Sequence, residues 1–375
     1  MNVIIAGGGI GGLAAAIGLR RSGHRVKIFE RSSFLREVGA AIHVCPNASR
    51  ILLQWGFDPE LARAVTTRKS IVASSRTLKP LVEVDCSQFT NVYGAPWFLV
   101  HQVDLHTELK RLATTEKGVG LPVDIVLNSK VIIGHATPAV STGSAAFRFL
   151  IPTDSLRDDS KVSPHVEDNV FKILAAEGHR RMVWYPCANN IIQNFVGIHA
   201  YHPEDDSQKE DWDRNAEVDD LLTEYHDFHP DIIAILKKAA SVKRWPLLYR
   251  DPIPTWTRGR LVLIGDAAHP MLPHQGQGGA QAIEDAGALY RAFTDIPLNL
   301  TQDEISRRLA VFENIRVNRA SAMQIFSNAG QEEPWKIREL AKPYMPEDVD
   351  VPGSPAEFMK HNFGYDVFKD ERGRL

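Results

Sequence analysis

Cysteine is scarce in this chain of 375 residues. The three that occur, Cys45, Cys86 and Cys187, are odd in number and far apart. That pattern excludes a disulfide framework and reads as reduced thiols of a cytoplasmic protein. A surplus of one charge is also lacking: 43 Lys and Arg stand against 46 Asp and Glu, a formal net charge of −3. Nothing in that balance draws the chain to nucleic acid or to an anionic membrane surface. No apolar run reaches the length of a membrane span, so no membrane association is expected. The first stretch is apolar, but no basic residue precedes it, and the first arginine is Arg20, behind it. That is the wrong polarity for a secretory signal. Without a secretory route, Asn47-Ala48-Ser49 and Asn299-Leu300-Thr301 have no meaning as glycosylation sites. Internal repeats and low-complexity tracts are absent. The histidine pairs His199/His202 and His226/His229 have no accompanying carboxylate motif, so no metal site is expected.

What is present begins at residue 3. Val3-Ile4-Ile5-Ala6 has the composition of a fully buried parallel strand. It runs into G-x-G-x-x-G at Gly7, Gly9 and Gly12, and an Ala- and Leu-rich helix should follow to about Leu19. Gly23 suits the end of that helix. Val26-Lys27-Ile28-Phe29 reads as a second strand closing at Glu30. Gly7 permits the tight turn, Gly9 lets the backbone approach a pyrophosphate, and Gly12 lets helix and strand pack closely. Glu30 can accept hydrogen bonds from an adenosine ribose and disfavours a 2′-phosphate, which points to FAD or NAD rather than NADP.

Further along, Asn47 is placed as the N-cap of a helix carrying Ile51, Leu52 and Leu53. Alternating runs from Ser70 to Val100 read as antiparallel strands. His101-Gln102-Val103-Asp104 opens another helix, and Asp124 to Asn128 is a further strand, with Lys130 to Gly134 as a possible companion. Strand-like runs follow at 146–152, 182–186 and 191–198. The acidic stretch 204–213 reads as a solvated loop, and 219–225 has helical spacing. Arg260 to Ile264 reads as the last buried strand. It enters Gly265-Asp266-Ala267-Ala268-His269-Pro270, then Gly276-Gln277-Gly278-Gly279-Ala280 and a helix to about Phe293. Residues 303–328 form a long helix, and the proline-richer tail should wrap the surface.

The expected fold class is therefore α/β. A Rossmann-like domain with a parallel sheet (1–70 with 98–140 and 246–330) holds the dinucleotide. A β-rich substrate domain (71–97 with 141–245) is inserted in it, and 331–375 form a helical C-terminal tail. Asp266, at a strand end, can hold a sugar or ribityl hydroxyl. Gly276, Gly278 and Gly279 present N–H groups at a helix start. Paired with the first fingerprint, this looks like the other half of one FAD site.

These residues carry a resemblance. With Gly39-Ala40-Ala41-Ile42, Pro46-Asn47-Ala48, Phe147-Arg148-Phe149 and Tyr185-Pro186, the chain resembles the single-component FAD-dependent aromatic hydroxylases, and among them the fungal salicylate-hydroxylase-like monooxygenases. The resemblance implies that NAD(P)H reduces FAD, and that O₂ then yields a flavin hydroperoxide that hydroxylates a small phenol or benzoate. It places Glu30, Ala41, Gln102, Asp266 and Gly279 beside Gly7, Gly9 and Gly12 on FAD, and Arg148 and Tyr185 on the substrate. Two departures stand out. Gln102 occupies a position where the family has Arg, and the family's mid-chain Asp-Gly motif is missing between Asn128 and Gly143. Two rival readings follow: a degenerate flavoprotein with impaired or no catalysis, and an NAD-dependent dehydrogenase using the first fingerprint alone. The second has no use for GDAAHP followed by GQGGA.

Overall fold

The computed structural model describes residues 1–33, 40–131, 139–177, 180–201, 214–297, 300–328 and 334–373. Gly39, most of the possible strand at 130–134, His202 and the acidic stretch 204–213 lie outside those residues.

The chain opens with β1 (Asn2–Ala6), α1 (Ile10–Arg21) and β2 (Arg25–Phe29), then β3 (Ala41–Val44), α2 (Pro46–Gln54) and β4 (Val65–Thr66). Next come β5 (Lys69–Ser74), β6 (Pro80–Asp85), α3 (Phe89–Tyr93), β7 (Phe98–His101), α4 (Gln102–Thr114) and β8 (Asp124–Val126). The β-rich middle contains β9 (Val140–Pro152), α5 (Thr153–Arg157), β10 (Val170–Ala175), β11 (Arg181–Cys187) and β12 (Ile192–Ala200). It continues through β13 (Asn215–Ala216), α6 (Val218–Glu224), α7 (Pro230–Leu236) and β14 (Val242–Tyr249). A hairpin of β15 (Thr257–Arg258) and β16 (Leu261–Val262) leads to α8 (Gly278–Phe293), α9 (Gln302–Phe326), α10 (Pro334–Ala341) and α11 (Pro355–Gly364).

Three sheets position the site. β1, β2 and β8 pair in parallel, in that order, as βα crossovers require. β3, β7 and β4 form a small antiparallel sheet. The largest has eight strands in the order β13-β14-β9-β12-β11-β10-β5-β6. Side chains alternate across it. One face carries Phe147, Phe149, Trp184 and Phe195, packed under Leu221, Tyr225, Phe228 and Ile232 of α6, α7 and their link. The opposite face carries Arg148, Val196, Asn194, Tyr185 and Phe171, and meets β3, β7 and the turns before α8.

Four local expectations fail for physical reasons. Ile4 is 70% exposed, so β1 is not fully buried. It is the edge of a three-stranded sheet, and among the described residues nothing covers that side of it. The run 260–264 does not extend the parallel sheet; only Leu261 and Val262 pair, antiparallel, with β15. Asn47 is not a cap, because Cys45 caps α2 and Pro46 takes the first helical position, which its fixed φ suits. The tail does not merely wrap the surface: Phe363 lies in an aromatic cluster with Trp97 and Tyr185, and Val367 is buried against the core around α8.

Candidate functional site

The first half of the site is the turn between β1 and α1. Gly7 has φ +102, and a Cβ on Gly12 would lie 2.0 Å from the Gly7 carbonyl oxygen, so strand and helix touch where only glycine fits. The position of a Cβ on Gly9 meets nothing within 4 Å. Gly9 caps α1 without any side chain, which leaves the first N–H groups of the helix for an anion. Glu30 is buried, and its carboxylate accepts from Gly8 N at 2.6 Å and Ser32 N at 2.7 Å. Burial pushes its pKa up, but these backbone hydrogen bonds outweigh that and hold it below the ordinary value. His106 Nε2 donates to Gly8 O at 2.8 Å and braces the turn from α4.

The second half comes from the other end of the chain. Ala282 on α8 joins the two: its Cβ would be 3.2 Å from a Cβ on Gly11 and 3.5 Å from one on Gly265. The two glycine-rich motifs therefore converge across one helix–helix contact. Asp266 is solvent-accessible yet set deep in the fold, and desolvation raises its pKa against the opposing influence of His269. Among the described residues no protein group hydrogen-bonds it. Gly279 opens α8 where a Cβ would press to 2.8 Å on Ile42, while Gly278 faces open space. Ala41 and His101 are ladder partners, and Gln102 N donates to Ala40 O at 2.8 Å, so Gln102 starts α4 beside Ala41. Open space before Gly9 and Gly278, with an accessible carboxylate lacking a protein partner, suits an extended dinucleotide that brings phosphates and sugar hydroxyls.

A buried ionic cluster, absent from the sequence reading, anchors this second half. Asp285 accepts from Gly265 N at 2.8 Å, His269 Nε2 at 2.7 Å and Arg316 Nε at 2.8 Å. Glu284 binds Arg316 Nη1, Arg319 Nη2 at 3.2 Å and Asn47 Nδ2 at 2.6 Å. Desolvation opposes ionisation of both acids. For Glu284 the charges of Arg319 and Arg316 win, and for Asp285 those of His269 and Arg316, so both pKa values are lowered. The only sequence signal was the odd placement of Glu284 and Asp285 in the apolar stretch of α8.

The face of the eight-stranded sheet turned toward these motifs carries Arg148 and Tyr185. Among the described residues Arg148 makes no ion pair; its guanidinium lies 4.5 Å from the Trp245 ring centroid, and desolvation lowers its pKa. Tyr185 is 3% exposed and donates its hydroxyl proton to Ala41 O at 2.9 Å. Asn194 Oδ1 accepts from Ala41 N at 3.1 Å. Arg181 donates to His274 Nδ1 in the loop before α8, and burial with that neighbouring charge lowers His274 to about 2. His43, Asn194, Arg181 and His274 escaped the sequence reading, because only strand register shows which face a residue occupies. Among the described residues no group of His, Cys, Asp and Glu could hold a metal ion, and no helix is long and apolar enough to cross a membrane.

Comparison with known proteins agrees with this geometry. Residues 151–326 match a family described as FAD binding domain, and residues 5–65 one described as NAD(P)-binding Rossmann-like domain. The FAD-dependent monooxygenase phomE' of Diaporthe leptostromiformis is 37% identical over 389 aligned positions, covering 93% of this chain and 96% of that protein. Hispidin-3-hydroxylase of Neonothopanus nambi is 30% identical, covering 85% of this chain and 86% of its own length. A salicylate hydroxylase substrate complex shares the fold, with a TM-score of 0.72 at 22% identity over 98% of this chain and 96% of that one. Two glycine-rich turns converging from opposite ends of the chain, and relatives matching nearly its whole length, lead to one conclusion: the chain belongs to the FAD-dependent monooxygenases, with FAD as its cofactor.

Proposed function

We propose that the protein hydroxylates a small phenolic or benzoate-like ring, using NAD(P)H and O₂. FAD, once reduced by NAD(P)H, supplies the activation of O₂ that no side chain can provide. The chain's own residues bind, orient and exclude water. The N-terminus of α1 with Gly7, Gly9 and Gly12 would hold the pyrophosphate, and Glu30 a ribose hydroxyl. Asp266 would take a sugar or ribityl hydroxyl. Ala41, Gln102 and Gly279 would line the ring system, with the N–H groups at the start of α8 facing its carbonyl side.

The observation that carries this reading is the bond from Tyr185 to Ala41. It brings a substrate-sheet residue into contact with a residue assigned to FAD. Arg148, a cation with no carboxylate partner among the described residues, would attract a phenolate or carboxylate. Trp97, Phe171, Trp245 and Leu272 supply apolar walls that keep water out. The test is NAD(P)H oxidation by the FAD-loaded protein against a panel of phenols and benzoates. Stimulation with formation of a hydroxylated product is expected, and no stimulation by any of them would sink the proposal.

One observation favours the rival of a degenerate flavoprotein. The exposed Ile4 shows that one side of the parallel sheet is uncovered among the described residues. The missing Asp-Gly segment would account for it. The alignment to the Diaporthe relative is also longer than this chain, although it uses 93% of it. Purified protein without a flavin absorption band, even after added FAD, would select that rival.

A further inference from the structure

The C-terminal helix α11 ends against the aromatic side of the site. Phe363, 5% exposed, packs its ring among three others, with centroids at 5.6 Å for Trp97, 5.7 Å for Tyr93 and 5.9 Å for Phe89. On its far side Trp97 lies 5.1 Å from Phe171, and Phe171 lies 5.5 Å from Tyr185. The indole of Trp97 therefore stands between the tail and the substrate-facing side of the large sheet. Its Nε1 is enclosed and has no partner among the described residues. Ring packing, and not a hydrogen bond, fixes where the indole sits.

α11 is itself held at a set distance from the cofactor side. The last carbonyls of a helix lack partners within it, and here two arginines take them. Arg319 donates to His361 O at 3.3 Å and to Asn362 O at 3.1 Å, and Arg50 donates to Phe363 O at 3.2 Å. Their positive charge also suits the negative end of the helix. Arg319 is anchored in turn on Glu284 of α8 at 3.2 Å. Asn362 Nδ2 donates to Gln275 Oε1 at 3.3 Å, in the loop that leads into the glycine-rich turn. One helix thus grips that loop with one residue and backs Trp97 with the next.

We propose that Phe363 sets the size of ring system that the substrate chamber accepts, as a positioning residue acting through Trp97. This rests on the hydroxylase reading above. The chamber is bounded by the glycine-rich turn on one side and by the indole on another, and α11 fixes the span between them. With a phenyl ring behind it the indole cannot retreat, and a second fused or attached ring has no room. Shortening residue 363 opens space behind the indole, because a packed interior closes such a gap only in part.

The test uses the full FAD-loaded chain with 4-methylphenol and 4-phenylphenol as one-ring and two-ring probes. Their affinities are measured by equilibrium dialysis, and the ratio of the two is the readout. Phe363→Ala should move that ratio by about tenfold toward the two-ring probe. Phe363→Leu refills much of the space and should move it by about threefold in the same direction. Val367→Ala is the control for a loosened tail: Val367 is buried against the core around α8 and not against Trp97, so the ratio should stay within about twofold of native. Should Phe363→Ala fail to fold, Phe363→Leu decides. A ratio unmoved in the Phe363 variants, an equal shift in Val367→Ala, or no binding of either probe by the native protein overturns the assignment. Phenol-stimulated NAD(P)H oxidation with an unmoved ratio sinks the role of Phe363 alone. A moved ratio without stimulation by any phenol keeps Phe363 as the determinant of a binding chamber and sinks the hydroxylase reading.

Discussion

The hydroxyl of Tyr185 donates to the carbonyl of Ala41 at 2.9 Å and ties the large sheet to the small one. Asn194 Oδ1 takes the Ala41 N–H at 3.1 Å, so both backbone groups of Ala41 are held from across the interface. Burial pushes the Tyr185 pKa well up, and the hydroxyl stays protonated as a donor throughout the working pH range. Tyr185→Phe leaves the carbonyl without this donor. We expect a loss of about 1–2 kcal/mol in urea unfolding and a several-fold weaker FAD affinity by flavin fluorescence titration. If both stay at native values, the bond has no positioning role.

The two glycines of the first turn should separate fold from binding. Gly12→Ala drives a Cβ to 2.0 Å from the Gly7 carbonyl oxygen, so β1 and α1 must move apart. It should destabilise even the FAD-free protein by about 1–3 kcal/mol or more. Gly9→Ala meets open space at an ordinary φ of −70. It should keep the melting temperature of the FAD-free protein and lose FAD affinity, because the added methyl occupies ground meant for the pyrophosphate. Equal FAD affinity in Gly9→Ala and native protein would remove Gly9 from the cofactor site.

The contrast also shows what the chain discloses before folding. Fingerprint, helix periods and the α9 span were legible, because local backbone geometry dictates them: α9 runs Gln302–Phe326 against an expected 303–328. Strand existence was legible in the same way, as with β11 and β12. What was hidden depends on partners distant in sequence. Asn47 looks like a cap in isolation, but its amide is taken by Gln277 and Glu284 from α8. Glu284, Asp285 and Arg316 look like solvated charges, yet all three are fully enclosed. Ile4 looks like core, yet its sheet ends beside it. His43 carries no motif, and only the packing of three aromatic rings around it marks the position.

Acid sensitivity should have a histidine component. His199 is 2% exposed and stacks on Phe147 at 4.5 Å, with Nδ1–H donating to Ala200 O at 2.7 Å and Nε2 enclosed without a partner among the described residues. Burial, reinforced by the charge of Arg244, lowers its pKa from 6.5 to about 4, although the Glu224 carboxylate lies 3.8 Å away. Between those values the unfolded chain binds a proton that the folded chain refuses. This contribution is therefore complete above pH 6.5 and drains away as the pH falls toward 4, at up to about 1.4 kcal/mol per pH unit. Urea unfolding across that window should show a shallower slope in His199→Leu than in the native protein. An identical slope would assign the effect to other groups.

Two carboxylates of the buried cluster should fail differently. Glu284→Gln and Asp285→Asn each remove one negative charge beside Arg316, and each should cost about 3–5 kcal/mol, because a buried guanidinium loses its counter-charge. Their connections differ, however. Glu284 reaches Asn47 and Arg319, on α2 and α9. Asp285 alone holds Gly265 N and His269 Nε2, and with them the turn that carries Asp266. Both bonds go to Oδ2 while Arg316 Nε donates to Oδ1, so a neutral amide must turn its N–H₂ group either on Arg316 or on the turn, where only acceptors fit. At matched loss of stability, Asp285→Asn should therefore weaken FAD binding by at least about tenfold more than Glu284→Gln, which corresponds to about 1.4 kcal/mol of cofactor affinity. Flavin fluorescence titration of the two variants decides it. If they bind FAD alike, the cluster serves only to hold α8 against α9, and the turn at Asp266 keeps its shape without it.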